Sequence, residues 1–178
     1  MLVITNYGVT LREVTEGDLE TLRTWRNDPE ISRFMVTQDH ITPEMQNKWF
    51  ETTRLRGDVN FIINYEGLDI GFIGLKLVDV KEKLYNPGVY FANTNYQNSH
   101  IPFMVAFCFW DFIFENYPDI KIKTTVLISN KRAMRFNKAL GYEEIKNNND
   151  GQFLEMQLCS IDYQQAAEKI KRVFLKNN

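Results

Sequence analysis

The sequence predicts a single α+β domain, and three observations predict it. Two helix-start signals stand ahead of residue 57, β-rich runs gather between Val59 and Asn93, and the segment from Ile101 to Tyr117 is apolar nearly all round. Strands collected together with helices set apart from them fit an α+β layering; a strict strand–helix alternation would have pointed to a parallel sheet. The 178 residues, 44% of them hydrophobic, suffice for one well-filled core and are few for two, so one domain over 1–178 is expected.

The elements follow in order. Thr15-Glu16-Gly17-Asp18 has the form of a capping box, and Leu19, Leu22 and Trp25 recur after it at helical spacing, so a helix runs from there to about Asp28, ahead of Pro29. Thr42-Pro43-Glu44 supplies an N-cap and a first-turn proline for a second helix, with Met45, Trp49 and Phe50 on one face. These two helices are expected to precede any strand pair. FIINY, DIGFIGLKLVDV and GVYFAN then read as three neighbouring antiparallel strands, separated by turns at Glu66-Gly67 and Asn86-Pro87. IPFMVAFCFWDFIFENY is a helix that must be covered on more than one face, and Pro102 fits its first turn. Its Phe103, Phe107, Phe109, Trp110, Phe112 and Phe114 are core or a homodimer surface, not a cofactor box. IKIKTTVLI reads as a strand, after which Ser129 or Asn130 caps a helix with Ala133, Phe136 and Leu140 as its apolar stripe. Gly141 is placed to end that helix, with Tyr142 as the hydrophobic partner of a Schellman motif. Tyr142 to Lys146 and Phe153 to Cys159 make a hairpin with its tip at Asn147–Gly151, and Tyr163 to Leu175 an amphipathic terminal helix.

Composition narrows the function. With 21 Lys and Arg against 23 Asp and Glu the net charge is −2, and without a long basic run nucleic acid is a poor partner. The opening MLVITNYGVTLREV lacks the basic and apolar regions of a secretion signal, and the longest apolar run, Ile101 to Trp110, is too short to cross a bilayer. A cytoplasmic protein without membrane contact is expected. Cys108 and Cys159 each lie in an apolar stretch with no His partner nearby, which suits reduced core thiols and neither a disulfide framework nor a metal site.

Two local patterns carry a family resemblance. NKRAMRFNKALGY, from Asn130 to Tyr142, resembles the fourth-helix segment of the GNAT superfamily of N-acetyltransferases, with its Asn after the strand, Ala three residues on, and closing Leu-Gly-aromatic. GVYFANTNYQNSHIP, followed by the apolar helix, resembles the strand, pyrophosphate loop and helix that hold acetyl-CoA in that superfamily. WRNDPEISRFM, from Trp25 to Met35, is similar to the N-terminal part of GNAT enzymes that acetylate amino groups on nucleotide-linked sugars in bacterial glycan pathways. The resemblance covers nearly the whole chain. It implies a mostly antiparallel twisted sheet of six to seven strands, splayed between the fourth and fifth, with helices on both faces.

The resemblance also implies a site. The fourth strand would leave the backbone of Tyr90, Phe91, Ala92 and Asn93 free to bond the pantetheine amides and thioester oxygen of acetyl-CoA. Gln97, Asn98, Ser99, His100, Ile101 and Pro102 would cradle the diphosphate at a helix start, where free N–H groups and the helix dipole meet its charge. Asn130, Ala133, Phe136 and Asn137 would line the slot from the fourth helix. This chain departs from the family in two places. The cradle usually reads Gln or Arg, two residues, Gly, one residue, Gly or Ala; here both small positions are lost and Pro102 removes a donor. Either Asn98, Ser99 and His100 substitute side-chain donors, or CoA binding is weakened. Asn137 stands where many members carry the Tyr that protonates the departing thiolate; Asn is no acid, but a thiol of pKa about 8.5 leaves with hydrogen-bond help alone.

On the acceptor side, the amine must be neutral to attack, and the sequence singles out no base. His40 and Tyr90 are the catalytic candidates there, beside plain readings as a loop histidine and a core aromatic. Arg26 and Asn27 suit a helix end, and Arg26 would also meet an anionic acceptor; Trp25, Phe34 and Trp49 would stack on a base or sugar. The reading is an acetyl-CoA-dependent N-acetyltransferase that releases CoA by direct amine attack on the thioester. Its acceptor is a small-molecule amine, first of all a nucleotide-linked amino sugar. A transferase for protein N-terminal or other small-molecule amines, and a GNAT-shaped scaffold impaired in CoA binding, are the alternatives.

Overall fold

A computed structural model describes residues 1–147 and 151–174. The chain opens with β1 (Val3–Asn6) and β2 (Val9–Glu13). Their two-residue turn holds Tyr7 and Gly8 at φ 52° and 75°, the handedness that matches the twist of paired strands. A hairpin therefore precedes the helices, against expectation, and among the described residues the sheet has eight strands where six or seven were expected. Strands of four and five residues, the first of them mostly exposed, carry too little hydrophobic alternation to be seen in sequence.

Thr15 donates from its N–H and its hydroxyl to Asp18 Oδ2, both at 2.8 Å, and so starts α1 (Leu19–Asn27). Asp28 then caps a short α2 (Pro29–Ser32) by accepting from the Glu30 N–H at 2.8 Å. Thr42 caps α3 (Pro43–Arg56) through the Met45 N–H. Of the expected apolar face only Phe50 is buried; Met45 is exposed, Trp49 is half-buried, and the inner face is Gln46, Phe50 and Thr53. Strands β3 (Val59–Tyr65), β4 (Leu68–Asp79) and β5 (Leu84–Phe91) form the antiparallel centre. Glu66 and Gly67 make the first turn, as expected, but Asn86 and Pro87 lie inside β5, and the second turn closes at Lys83.

A short α4 (Thr94–Gln97) leads to the long α5 (Ile101–Asn116), then β6 (Lys121–Leu127) and α6 (Lys131–Ala139). Of the two capping candidates for α6, Asn130 does it, accepting from the Ala133 N–H at 3.1 Å. The helix ends in a Schellman motif: Gly141 N–H bonds Lys138 C=O, and Tyr142 N–H bonds Asn137 C=O. Gly141 is required twice over, by φ of 95° and because a Cβ would lie 2.5 Å from the Asp162 carbonyl oxygen. β7 (Glu143–Asn147), β8 (Phe153–Leu158) and α7 (Ser160–Phe174) complete the chain. Most of the expected hairpin tip, 148–150, and residue 175 lie outside the described residues.

The sheet runs β1-β2-β3-β4-β5-β6-β8-β7. Period-two alternation sends Phe61 and Ile63 of β3 to the main core around α5, and Ile62 to a second core with Leu19 and Leu22 of α1 and Phe50 of α3. Helices thus cover both faces. Phe107, Phe109, Trp110 and Phe114 of α5 are all buried, so those rings are core and not a free surface. α7 is tied down at Asp111 of α5, which accepts from Tyr163 Oη at 2.6 Å, Lys171 Nζ at 2.7 Å and, from the β1–β2 turn, Tyr7 Oη at 2.5 Å.

Candidate functional site

The sheet is complete except between β5 and β6. These strands run parallel and pair only at Leu84 with Lys121 and Tyr85 with Ile122, after which they diverge. Pro87, two residues on, has no N–H to continue the ladder. Which backbone groups face the opening follows from the register on the other side. Ala92 N–H bonds Ile70 C=O at 2.8 Å, so Ala92, Tyr90 and Gly88 form the hydrogen-bonded pairs with β4, and Val89 and Phe91 turn their N–H and C=O toward β6. The Phe91 carbonyl accepts from Gln97 Nε2 at 3.3 Å. Of the expected free stretch, Phe91 faces the gap; Tyr90 and Ala92 are held in the ladder, and the Asn93 side chain caps α4 by accepting from the Asn95 N–H. Val89 takes the place expected of Tyr90.

This opening is a slot of about 130 Å³. Val89, Phe91, Pro102, Ala133 and Phe136 make it apolar, Asn130 and Gln97 add polar groups, and Ile31, Phe34 and Met35 close it from the α2 side. Asn130, Ala133 and Phe136 follow each other at three-residue steps on α6, one face of a helix. Asn137, four residues after Ala133, shares that side of the helix, but its amide points to Met156 Sδ at 3.8 Å and it lines neither cavity described here. Arg33 and Arg132 both lie over the ring of Phe34, at 4.8 and 5.8 Å.

The expected diphosphate cradle has a different geometry from a row of free amides. Asn98 N–H bonds Thr94 C=O, Ser99 N–H bonds Tyr96 C=O, and Ile101 N–H bonds Ser99 Oγ at 3.1 Å. Phe103 and Met104 both turn their N–H groups to the His100 carbonyl. Serine and proline at the start of α5 satisfy or delete the donors that an anion would use. The His100 ring is exposed, with its centroid 6.5 Å from that of Phe174.

Tyr90 lines the slot and also a second cavity, a groove of about 780 Å³ between α1, α3 and the outer face of β4 and β5. Its ring stacks on Phe72 at 5.4 Å, and Trp49 meets Phe72 edge-on at 6.1 Å. Burial pushes the Tyr90 phenol far above its ordinary pKa, so at neutral pH it is a hydrogen-bond donor and not a base. Four cationic side chains, Arg26, Lys48, Arg56 and Lys76, face the groove against two carboxylates, Asp39 and Asp58. Asp58 is already held by Arg56 and by the Leu77 N–H. Among the described residues Arg26 makes one hydrogen bond, a long 3.5 Å one from Nη2 to Thr37 C=O, while its buried Nη1 finds no hydrogen-bond partner. Burial lowers the pKa of Arg26, a sign of a cation short of solvent and of an anion.

The other expected acceptor residues divide. Trp49 reaches the groove; Phe34 lines the slot instead. Asn27 is consumed in a two-bond clamp on Ile41, at 2.8 and 2.9 Å, and Trp25 packs on the second core. His40 is exposed and lines neither cavity. Phe72, Gly74 and Lys76, which the sequence reading passed over, share one face of β4, and Asn86, Gly88 and Tyr90 share the matching face of β5. Period-two alternation would have grouped each set, but not told which face carries the groove.

The acetyltransferase (GNAT) domain model matches residues 9–143 of this chain. No curated protein matches the sequence. Solved structures do, at low identity. Apo FdhC, a nucleotide-linked sugar GNAT, superposes with a TM-score of 0.78 at 17% identity, over 96% of this chain and 97% of that one. Spermidine N-acetyltransferase from Vibrio cholerae, in complex with CoA and spermine, gives 0.78 at 16% identity, covering 89% and 99%. The aminoglycoside acetyltransferase AAC(6')-Ib, in complex with coenzyme A, gives 0.74 at 20% identity, covering 88% and 98%. At these identities the likeness is one of fold.

Proposed function

The chain belongs to the GNAT acetyltransferase domain family, and from that premise we propose that it moves the acetyl group of acetyl-CoA to a primary amine, with a nucleotide-linked amino sugar as acceptor. The observation that carries the reading is the slot beside β5, whose Val89 and Phe91 present backbone groups that no strand takes up, with the cationic groove meeting it at Tyr90. The residues fit the donor's pantetheine arm: an apolar channel, two outward-facing main-chain units and the Asn130 side chain.

Bound acetyl-CoA supplies an activated acetyl thioester. Val89 and Phe91 offer fixed N–H dipoles to the oxygen that gathers negative charge when an amine attacks, a stabilisation that needs no reorganisation at the moment of reaction. Tyr90, kept protonated by burial, sits where donor and acceptor cavities meet and can donate a further bond. The groove aligns the amine, which converts a bimolecular encounter into an attack within one complex. No acid from this chain is needed at the sulfur, since a thiol of pKa about 8.5 departs readily as thiolate.

Groove charge favours an anionic acceptor. Spermine and aminoglycosides are polycations, and Arg26, Lys48 and Lys76 would repel them, while a diphosphate would pair with them and a base or sugar would lie against Trp49 and Phe72. The same charge disfavours a peptide groove, for which an acidic lining suits an N-terminal amine. A thermal-shift titration with acetyl-CoA tests the donor, since saturation at about 100 times Kd adds roughly 2.7 kcal/mol to stability. Thiol release with nucleotide-linked amino sugars, spermidine, aminoglycosides and peptides tests the acceptor. Turnover of polycations in preference to anionic sugars would reject the acceptor assignment.

A further inference from the structure

We infer that Arg132 grips the phosphates of the acetyl donor, in place of a backbone cradle at the start of α5. The inference rests on reading the slot as the acetyl-CoA site. An anion arriving at α5 finds its usual donors used up: Ile101 N–H is capped by Ser99 Oγ at 3.1 Å, Pro102 has none, and the Phe103 N–H is turned to the His100 carbonyl at 3.0 Å. The charge that this wall does not offer stands on the facing one.

Arg132 lies in the first turn of α6 and lines the slot beside Asn130 and Pro102. Its position makes little sense for the helix alone. A cation in the first turn opposes the helix dipole, and the first turn of α6 contains no acidic residue. Among the described residues no carboxylate pairs with Arg132, whereas Arg33, across the ring of Phe34, is matched by Glu30 at 2.7 Å. Partial desolvation and the like charge of Arg33 both act against its charged form. A bound phosphate would relieve all of these at once, and a planar guanidinium fork suits phosphate oxygens. The Asn130 cap fixes the turn from which Arg132 projects, so the fork is carried on an ordered base.

The test measures binding of CoA and of S-acetyl-pantetheine, which lacks the phosphates, to the full chain by calorimetry at two salt concentrations. Wild type is compared with Arg132→Gln and Arg132→Lys, with the unliganded melting temperature as a control of folding. Arg132→Gln should weaken CoA about tenfold or more, leave S-acetyl-pantetheine unchanged and flatten the salt dependence, and Arg132→Lys should recover part of the loss. Equal CoA affinity in wild type and Arg132→Gln overturns the inference, as does an equal loss for both ligands. Wild type that binds neither ligand rejects the acetyl-CoA reading itself.

Discussion

Asp111→Asn should loosen the terminal helix by an amount that can be worked from the geometry. Three donors converge on the Asp111 carboxylate: Tyr7 Oη at 2.5 Å, Tyr163 Oη at 2.6 Å, and Lys171 Nζ at 2.9 and 2.7 Å to its two oxygens. An asparagine keeps the shape but has one acceptor oxygen, so one donor is left unmatched and the Lys171 charge loses its counter-ion. Hydrogen bonds to a charged group contribute about 1.5–3 kcal/mol against roughly 1 for neutral ones, so one loss and two weakenings amount to about 3 kcal/mol. The Asp111 and Lys171 side chains keep 30% and 22% of their exposure, and solvent screening trims the figure to about 2 kcal/mol. For 178 residues the unfolding entropy is about 0.37 kcal/mol/K, so the melting temperature should fall by about 5 °C.

The same change has a pH signature. Tyr7 and Tyr163 have raised pKa values, through burial first and Asp111 second; for Lys171 desolvation lowers the value, but Asp111 and Tyr7 together raise it above the ordinary one. Each raised group contributes stability that is fully present below its unfolded pKa, near 10, and is lost as the pH climbs toward the folded value. Removing Asp111 removes part of each shift, so the gap between wild type and Asp111→Asn should narrow above about pH 10. Calorimetric melting from pH 7 to 11 reads both effects. An unchanged melting temperature at pH 7, or a gap constant across the range, would refute the reasoning.

Further predictions concern the slot, the groove and the thiols. Val89→Pro removes a gap-facing N–H without touching the β4 ladder, so the fold should persist while kcat falls by about 10²-fold; undiminished kcat would show that this amide has no part in the chemistry. Arg26→Gln should raise KM for an anionic acceptor about tenfold with little change in CoA affinity, and should lower the melting temperature little, because the hydrogen bond it gives up is a long 3.5 Å contact to Thr37 C=O. Cys108 is buried, which pushes its thiol up to about 11, and burial followed by Asp162 raises the exposed Cys159. Both should react slowly with a disulfide reagent at pH 8 and fully after unfolding; rapid native labelling of Cys108 would contradict its burial.

How much of this could be read without coordinates differs by element. The capping of α3 by Thr42 and the ending of α6 at Gly141 were legible, because each depends on residues within one or two turns. The N-terminal hairpin was not, since Tyr7-Gly8 lacks the usual Asn-Gly or Asp-Gly signal and takes positive φ in context. Asn86-Pro87 read as a turn, yet the pair lies within β5, where Pro87 marks the point at which the β6 ladder ends. At the site, Asn130, Ala133, Phe136, Phe91 and Gln97 are singled out by their local motifs, and they line one slot. Lys48, Lys76, Phe72 and Arg132 were missed, for each is an ordinary surface residue until a neighbour from another element faces it.

The sequence by itself determined the order of elements from β3 onward apart from the short α4, the cap that starts α3, the ending of α6, and the family to which the pattern belongs, all of them properties of contiguous residues. Only the tertiary structure decided which amides remain open and which charges lack a partner. Val89 rather than Ala92 faces the gap because of a register set across two strands, and the donors of α5 are spent because Ser99 and His100 reach them first. Hydrogen bonding saturates: a group's chemistry depends on what has already taken its bond, and the taker can come from anywhere in the chain.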